Sequence, residues 1–204
     1  NVLAFNLKVA MTKIGLLHEN RALLEELERT NSRIEQSNEA LRELAISDAL
    51  TGLFNHRHFR DVLDRELARA ARYVRPLCLI LADVDHFKAF NDEYGHTFGD
   101  DVLIAVSQII ASTIRRSDLL YRFGGEEFVV LASHTGEEGG MLLAERIREN
   151  VAALQTVRGR PIQISVSLGV ARLHDEDNPQ ALFKRADQAM YKAKKNGRNR
   201  SELG

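Results

Sequence analysis

The sequence predicts an α/β domain, a mostly antiparallel sheet covered by helices, preceded by a long N-terminal helix. Three observations carry this. "LCLILADVD", residues 77–85, is an unbroken apolar run ending in acids, the pattern of a strand buried on both faces. Two β-type runs, 119–123 and 128–132, flank "GGEE" as the arms of a hairpin. Between and after them lie stretches of helical periodicity, giving the order β-α-α-β-β-α-β-α over the main part of the chain.

The elements follow in order. Residues 1–46 hold no proline and one glycine, Gly15, and are rich in helix-favouring Leu, Glu, Arg and Ala. Leu3, Leu7, Ala10, Ile14, Leu17 and Leu24 keep the alternating three–four spacing of a coiled-coil seam. Leu27, Ile34 and Leu41 then recur every seven residues. Two seams complete them: Leu24, Asn31, Asn38 and Ala45, or Leu23, Thr30, Ser37 and Leu44. Both put polar residues at core positions, so the choice stays open between a plain dimer stalk and a helix poised between two registers. Either way a parallel homodimer is expected, with residues 1–46 as the dimerisation helix and 47–204 as the second domain.

Beyond the stalk, Asp48 is a candidate cap, "LTGLFN" reads as a loop, and residues 56–73 as an amphipathic helix. After the 77–85 strand, "KAFNDEYGHTFGD" reads as helix then loop, and 101–115 as a strongly periodic helix. A helix is expected over about 137–154, and a strand in "IQISVSLGVARL" with a bulge or tight approach at Gly169. A last helix ends at Gly197.

Composition narrows the function. Net charge is −1 with 28% charged residues, which favours neither nucleic acid nor an anionic membrane as partner. The single cysteine, Cys78, excludes an intrachain disulfide and a cysteine-rich zinc site, and its "LCLIL" setting marks it as buried and apolar. No apolar run reaches the roughly 20 residues of a membrane span, and the opening stretch lacks a signal-peptide cleavage pattern. The chain starts with Asn rather than Met, which suggests a fragment, and it is expected to be cytoplasmic.

The chemistry concentrates in acids. Asp83 and Asp85 end a buried strand, and Glu126 and Glu127 lie on a hairpin turn. If those strands are neighbours, Asp83 and Glu126 converge. Carboxylates that close repel unless a cation lies between them, and Mg²⁺ favours one or two carboxylates plus phosphate oxygens. Gly124 and Gly125 lack β-carbons, so a flat ligand can approach the backbone. Taken singly, each of these is ordinary surface chemistry.

Six blocks in order change the weight: "DALTGLFNHRHF", "LADVDHFKAFND", "GHTFGDDVL", "RFGGEEF", "SVSLGVA" and "AMYKAKKNGRN". Together, over about residues 47–201, they resemble the GGDEF family of diguanylate cyclases in its GGEEF variant. The resemblance implies condensation of two GTP into cyclic di-GMP and two pyrophosphates across a homodimer, with two Mg²⁺ (or Mn²⁺) expected per active site. It implies that Asp83, the carbonyl of Val84 and Glu126 bind metal, and that Glu126 takes the 3′-hydroxyl proton. Glu127 supports the metal–phosphate region. Asn91 and Asp100 match guanine-binding positions, and His96, Gly124 and Gly125 other substrate contacts. Lys88 matches a transition-state position, and Lys194 and Arg198 the pair that reaches the terminal phosphates. Some relatives that accept one ATP carry a smaller residue where Asp100 stands, so the aspartate favours two GTP. One departure is His56, where arginine is usual.

Arg115 and Asp118, in R-x-x-D spacing and separated from Gly124 by five residues, resemble the family's inhibitory product site, and Arg146 matches the arginine that completes it from a neighbouring subunit. Arginine suits phosphate and guanine edges through its planar fork. Residues 1–25 weakly resemble the last helix of a GAF-type sensor, implying an upstream sensor domain. The rival reading is a catalytically silent module that only binds cyclic di-GMP.

Overall fold

A computed structural model describes residues 46–204 together with Met11, Arg21, Leu23, Glu26, Leu27 and 29–34. The chain divides into two units, Asn1–Ala45 and Ile46–Gly204. In the first, the described residues are helical, and Met11, Leu23, Leu27 and Ile34 are 66%, 56%, 64% and 53% exposed. Of the expected seams only Leu23, Leu27, Thr30, Asn31 and Ile34 are among them. Leu3, Leu7, Ala10, Ile14, Leu17, Leu24, Ser37, Asn38, Leu41, Leu44 and Ala45 lie outside the described residues.

The second unit is an α/β sandwich. In chain order its elements are β1 (Phe54–Asn55), α1 (His56–Tyr73), β2 (Leu77–Val84), α2 (Phe87–Tyr94), α3 (His96–Thr113), β3 (Leu119–Gly124) and β4 (Glu127–Ser133). Then follow α4 (Glu137–Ala152), β5 (Thr156–Val157), β6 (Arg160–Pro161), β7 (Val166–Arg172), α5 (Pro179–Lys195) and β8 (Ser201–Leu203). Six strands form one sheet in the order β1-β3-β4-β2-β7-β8. The four central strands are antiparallel, whereas β1 and β8 join the edges in parallel.

β2 is central and every one of its residues is buried. Its alternation divides the core, because successive side chains leave a strand on opposite faces. Cys78, Ile80, Ala82 and Val84 pack with Val102, Val106 and Ile110 of α3 and Ala144 and Ile147 of α4. Leu77, Leu79 and Leu81 pack with Phe59, Leu63 and Leu67 of α1 and Leu182, Ala186 and Met190 of α5. The helix starts follow from local chemistry. Asn55 caps α1 by accepting from the His58 N–H, and Asn178 caps α5 by accepting from the Ala181 N–H with Pro179 next in line.

The helix expected to begin at 101 begins at His96 instead. Two glycines suggest a loop there, but they act otherwise. Gly95, at φ +87°, turns the chain between α2 and α3 within one residue. Gly99 lies inside α3, where a β-carbon would stand 1.8 Å from Asn91 Oδ1, so it permits close packing of the two helices. Gly169 makes a tight approach and no bulge, since β2 and β7 pair without a break from Cys78↔Arg172 to Val84↔Val166. The strand expected across "IQISVSLGVARL" is confined to Val166–Arg172, and the short strand β1 lies in the stretch that the sequence presents as a loop.

The loop before β1 is tied to the sheet by a charge. The Asp48 carboxylate accepts from the Thr51 N–H and hydroxyl and from Arg122 Nη1 at 2.9 Å. Burial raises the pKa of Asp48, but these hydrogen bonds outweigh it and hold the carboxyl below the ordinary aspartate value. A depressed folded pKa stabilises the fold above the unfolded value, an advantage lost as pH falls through the folded one. Asp48→Ala is therefore expected to lose about 1–3 kcal/mol of stability at neutral pH, with the gap narrowing in strong acid. Urea unfolding of both proteins at neutral pH and at pH about 2.5 measures this; an equal gap at both would refute it.

Candidate active site

The acids meet at the end of β2 where the β3–β4 hairpin turns. Asp83 pairs with Glu127 across the strands, and the Val84 N–H donates to the Glu126 carbonyl at 3.2 Å. The turn is tight, with Gly124 opposite Glu127 and Gly125 at φ +40°, so Glu126 stands at its tip. Above both glycines the position of a β-carbon meets nothing within 4 Å, leaving room for a ligand against the backbone. Arg122 fixes the turn from behind. Its Nε and Nη2 donate to the Gly125 carbonyl at 3.1 and 2.7 Å while Nη1 holds Asp48. That role of Arg122 is not legible in the sequence, because it depends on a residue 74 positions away.

α5 supplies the countercharge. Lys194 Nζ lies 2.7 Å from Asp83 Oδ2, and Asp83 is 6% exposed. Burial raises the Asp83 pKa above the aspartate value; Asp85 adds to this, while Lys194 and Arg198 oppose it. Burial likewise raises Glu126 and Glu127, with Asp83 as the next cause for each. Three acids raised together, by burial first and by neighbouring carboxylates second, mark a site where the ionised forms are costly without a further cation.

Lys88 and Asn91 lie three residues apart on α2, which leaves the end of β2; His96 and Asp100 lie four apart on α3, each pair on one face. Lys88, His96 and Asp100 are exposed. Asn91 is half-buried against Gly99, and its Oδ1 has no hydrogen-bond partner among the described residues. A buried acceptor without a donor is costly, so this atom is suited to a ligand N–H.

Among the described residues no three acidic, histidine or cysteine side chains form a ready metal cage. The donor set nevertheless fits Mg²⁺, which takes one or two carboxylates and completes its shell with phosphate and water oxygens. The raised acids supply the reason for a cation.

A second group forms just beyond the C-terminal end of α3. The Arg115 N–H donates to Asp118 Oδ2 at 2.9 Å and the Asp118 N–H to the Arg115 carbonyl at 3.0 Å. Arg115, Asp118 and Arg146 line one cavity of about 270 Å³, all within a single chain. Arg146 donates to the Thr113 carbonyl at 2.7 Å, and the buried Asp118 Oδ1 has no hydrogen-bond partner among the described residues.

The site thus joins a helix-flanked sheet to a carboxylate cluster at a Gly-Gly-Glu-Glu turn, with a lysine from α5 against it. Residues 45–200 match the family "Diguanylate cyclase, GGDEF domain", and the chain belongs to that family. It is 40% identical over 185 residues to the diguanylate cyclase DgcP of Pseudomonas aeruginosa, covering 87% of this chain and 27% of that protein. The crystal structure of the coiled coil and GGDEF domain of DgcB from Caulobacter crescentus, in complex with c-di-GMP, is 31% identical with a TM-score of 0.86, covering 90% of this chain and 98% of that one. The active GGEEF domain of a diguanylate cyclase from Vibrio cholerae is 38% identical with a TM-score of 0.69, covering 73% and 96%. The chain spans 27% to 47% of the lengths of the first curated relatives it matches. Among the described residues no helix is long and apolar enough to cross a membrane.

Proposed function

We propose that this chain is a diguanylate cyclase that condenses two GTP into cyclic di-GMP, releasing two pyrophosphates. The observation that carries the reading is the convergence of Asp83, Glu126 and Glu127 with Lys194 at one sheet end. In each half-reaction a 3′-hydroxyl oxygen bonds to the α-phosphorus of the other nucleotide, and the bond from that phosphorus to the pyrophosphate oxygen breaks. Glu126 receives the hydroxyl proton; its raised pKa makes it a better base than an ordinary glutamate. Asp83, the Val84 carbonyl and Glu126 would hold divalent metal, two Mg²⁺ or Mn²⁺ per site, and metal held there would supply Lewis acidity toward the attacking hydroxyl and countercharge for the phosphates.

Asn91 Oδ1 and the Asp100 carboxylate accept from the N–H groups of guanine, which adenine does not offer in that arrangement. His96 contacts the nucleotide, Gly124 and Gly125 let it lie on the turn, and Lys88 faces the charge that develops on the phosphate. Lys194 and Arg198 bind the terminal phosphates, which draws Lys194 away from Asp83 as substrate and metal enter.

Each site takes one nucleotide from each subunit, so the homodimer joined by residues 1–46 sets the rate through the meeting of the two faces. The exposure of Leu27 and Ile34, seven residues apart on a helix, supports pairing there. An upstream sensor would act through this helix, in the cytoplasm and without nucleic acid.

The cavity at Arg115, Asp118 and Arg146 binds the product and slows the enzyme. Added cyclic di-GMP is expected to lower the wild-type rate about tenfold or more and to leave Arg115→Ala nearly unaffected. Equal inhibition of the two would overturn the site. The same cavity favours a second reading, a receptor that binds cyclic di-GMP without making it. Incubation of product-free protein with GTP and Mg²⁺, followed by chromatography, separates them: cyclic di-GMP establishes the cyclase, and tight product binding without turnover establishes the receptor.

A further inference from the structure

Asp85 directly follows β2, two residues after Asp83, and has other partners. It is 4% exposed. Its Oδ1 accepts from the Ser167 hydroxyl at 2.6 Å, and its Oδ2 from the Ser165 hydroxyl at 2.6 Å and the Asn199 N–H at 3.0 Å. The Asp85 N–H donates to the Ser165 carbonyl at 2.9 Å. So a buried carboxylate with three donors joins the end of β2, the start of β7 and the turn that follows α5.

That turn is held against its own preference. Arg198 and Asn199 have φ of +62° and +44°, the left-handed region that side-chain-bearing residues enter at a cost. It leaves α5 with the Arg198 N–H on the Ala193 carbonyl and enters β8 with the Arg200 carbonyl accepting from Leu168. Arg148 Nη1 donates to Asn199 Oδ1 at 3.2 Å. Asp85 accepts from the backbone N–H of the residue directly after Arg198, and Arg198 is close enough to lower the Asp83 pKa. With the Asn199 N–H unpaired, the strained pair has less reason to keep its conformation, and the Arg198 side chain loses its fixed origin.

We infer that Asp85 is a positioning residue that aims Arg198, through the Asn199 N–H, at the terminal phosphates of the bound nucleotide. This rests on the proposed phosphate role of Arg198, and the test separates the two. The affinity of the full chain for magnesium pyrophosphate, measured by calorimetry, is expected to fall about tenfold in Asp85→Ala. Guanosine monophosphate, which lacks the terminal phosphates, is expected to bind both proteins alike. Asp85→Asn keeps the shape and one acceptor oxygen, so it should retain most of the affinity. In an Arg198→Ala background, replacing Asp85 should change pyrophosphate binding no further.

Equal losses for pyrophosphate and guanosine monophosphate would reduce Asp85 to a purely structural role and overturn the inference. So would an undiminished effect in the Arg198→Ala background, or unchanged pyrophosphate binding in Asp85→Ala. Unchanged pyrophosphate binding in Arg198→Ala alone would overturn the phosphate role itself, and the inference with it. If Asp85→Ala does not fold, Asp85→Asn carries the same cycle with a roughly two- to threefold loss expected, and full retention with or without Arg198 would refute the inference.

Discussion

Glu126→Gln is expected to slow cyclic di-GMP formation about 10³-fold or more while leaving the fold as stable as before or more so. The substitution preserves shape. The turn is held by backbone pairing of Gly124 with Glu127, by the Val84 N–H on the Glu126 carbonyl and by Arg122 on the Gly125 carbonyl, none of which uses the Glu126 carboxyl. What disappears is a proton acceptor, a metal-binding oxygen and one negative charge. The last loss works in favour of stability. Burial and the neighbouring Asp83 raise the Glu126 pKa, so at neutral pH the ionised group costs stability, a cost removed as pH falls through the raised value. A neutral amide removes that cost at every pH. Product chromatography and thermal melting in parallel test the pair of expectations. Activity within about tenfold of wild type would remove Glu126 from the chemistry, and a large drop in melting temperature would assign it a structural part instead.

Which parts of the fold are legible in the sequence depends on how local their causes are. β2 is readable because eight consecutive residues must all be buried, and a short unbroken apolar run bounded by Pro76 and by acids suits a strand enclosed on both faces. α1 is readable to its ends because an amphipathic pattern starts at a capping asparagine. β5, β6 and β8 are not, since two or three residues carry no period and their pairing is decided by distant strands. The start of α3 is hidden because glycine has two uses. Gly95 serves for its positive φ and Gly99 for its missing β-carbon, and composition alone does not distinguish either from a loop.

The site divides in the same way. Asp83 and Glu126 are candidates because acids at a strand end and on a turn conflict with the apolar runs beside them, and family resemblance supplies the rest. The geometry adds that Lys194 rests on Asp83. It also adds roles for Arg122 and Asp85 that the sequence does not signal. They act over 74 and 114 positions, and nothing in the residues around them announces a partner so remote.

Gly169→Ala is expected to be the most damaging single-methyl change in the sheet, costing about 3 kcal/mol or more and lowering the melting temperature by about 10 °C. The added β-carbon would stand 2.0 Å from the Ala186 carbonyl oxygen and 2.2 Å from the Met190 nitrogen. Both are backbone atoms of α5, so no side-chain rotation relieves the contact; the helix must lift from β7 or the strand must bend. Lifting opens the core around Leu182, Ala186 and Met190. It also moves Lys194, one helical turn beyond Met190, away from Asp83, so GTP turnover should fall in whatever fraction remains folded. Gly140→Ala is the control. Its β-carbon would meet Cys78 Sγ at 2.9 Å and Val170 Cγ1 at 3.0 Å, side-chain atoms with some freedom to move, and a smaller loss is expected. Thermal melting of the two variants decides the matter. Should Gly169→Ala melt as high as Gly140→Ala, the close approach of α5 to β7 is not what seats Lys194, and Asp83 must hold the helix end by charge alone.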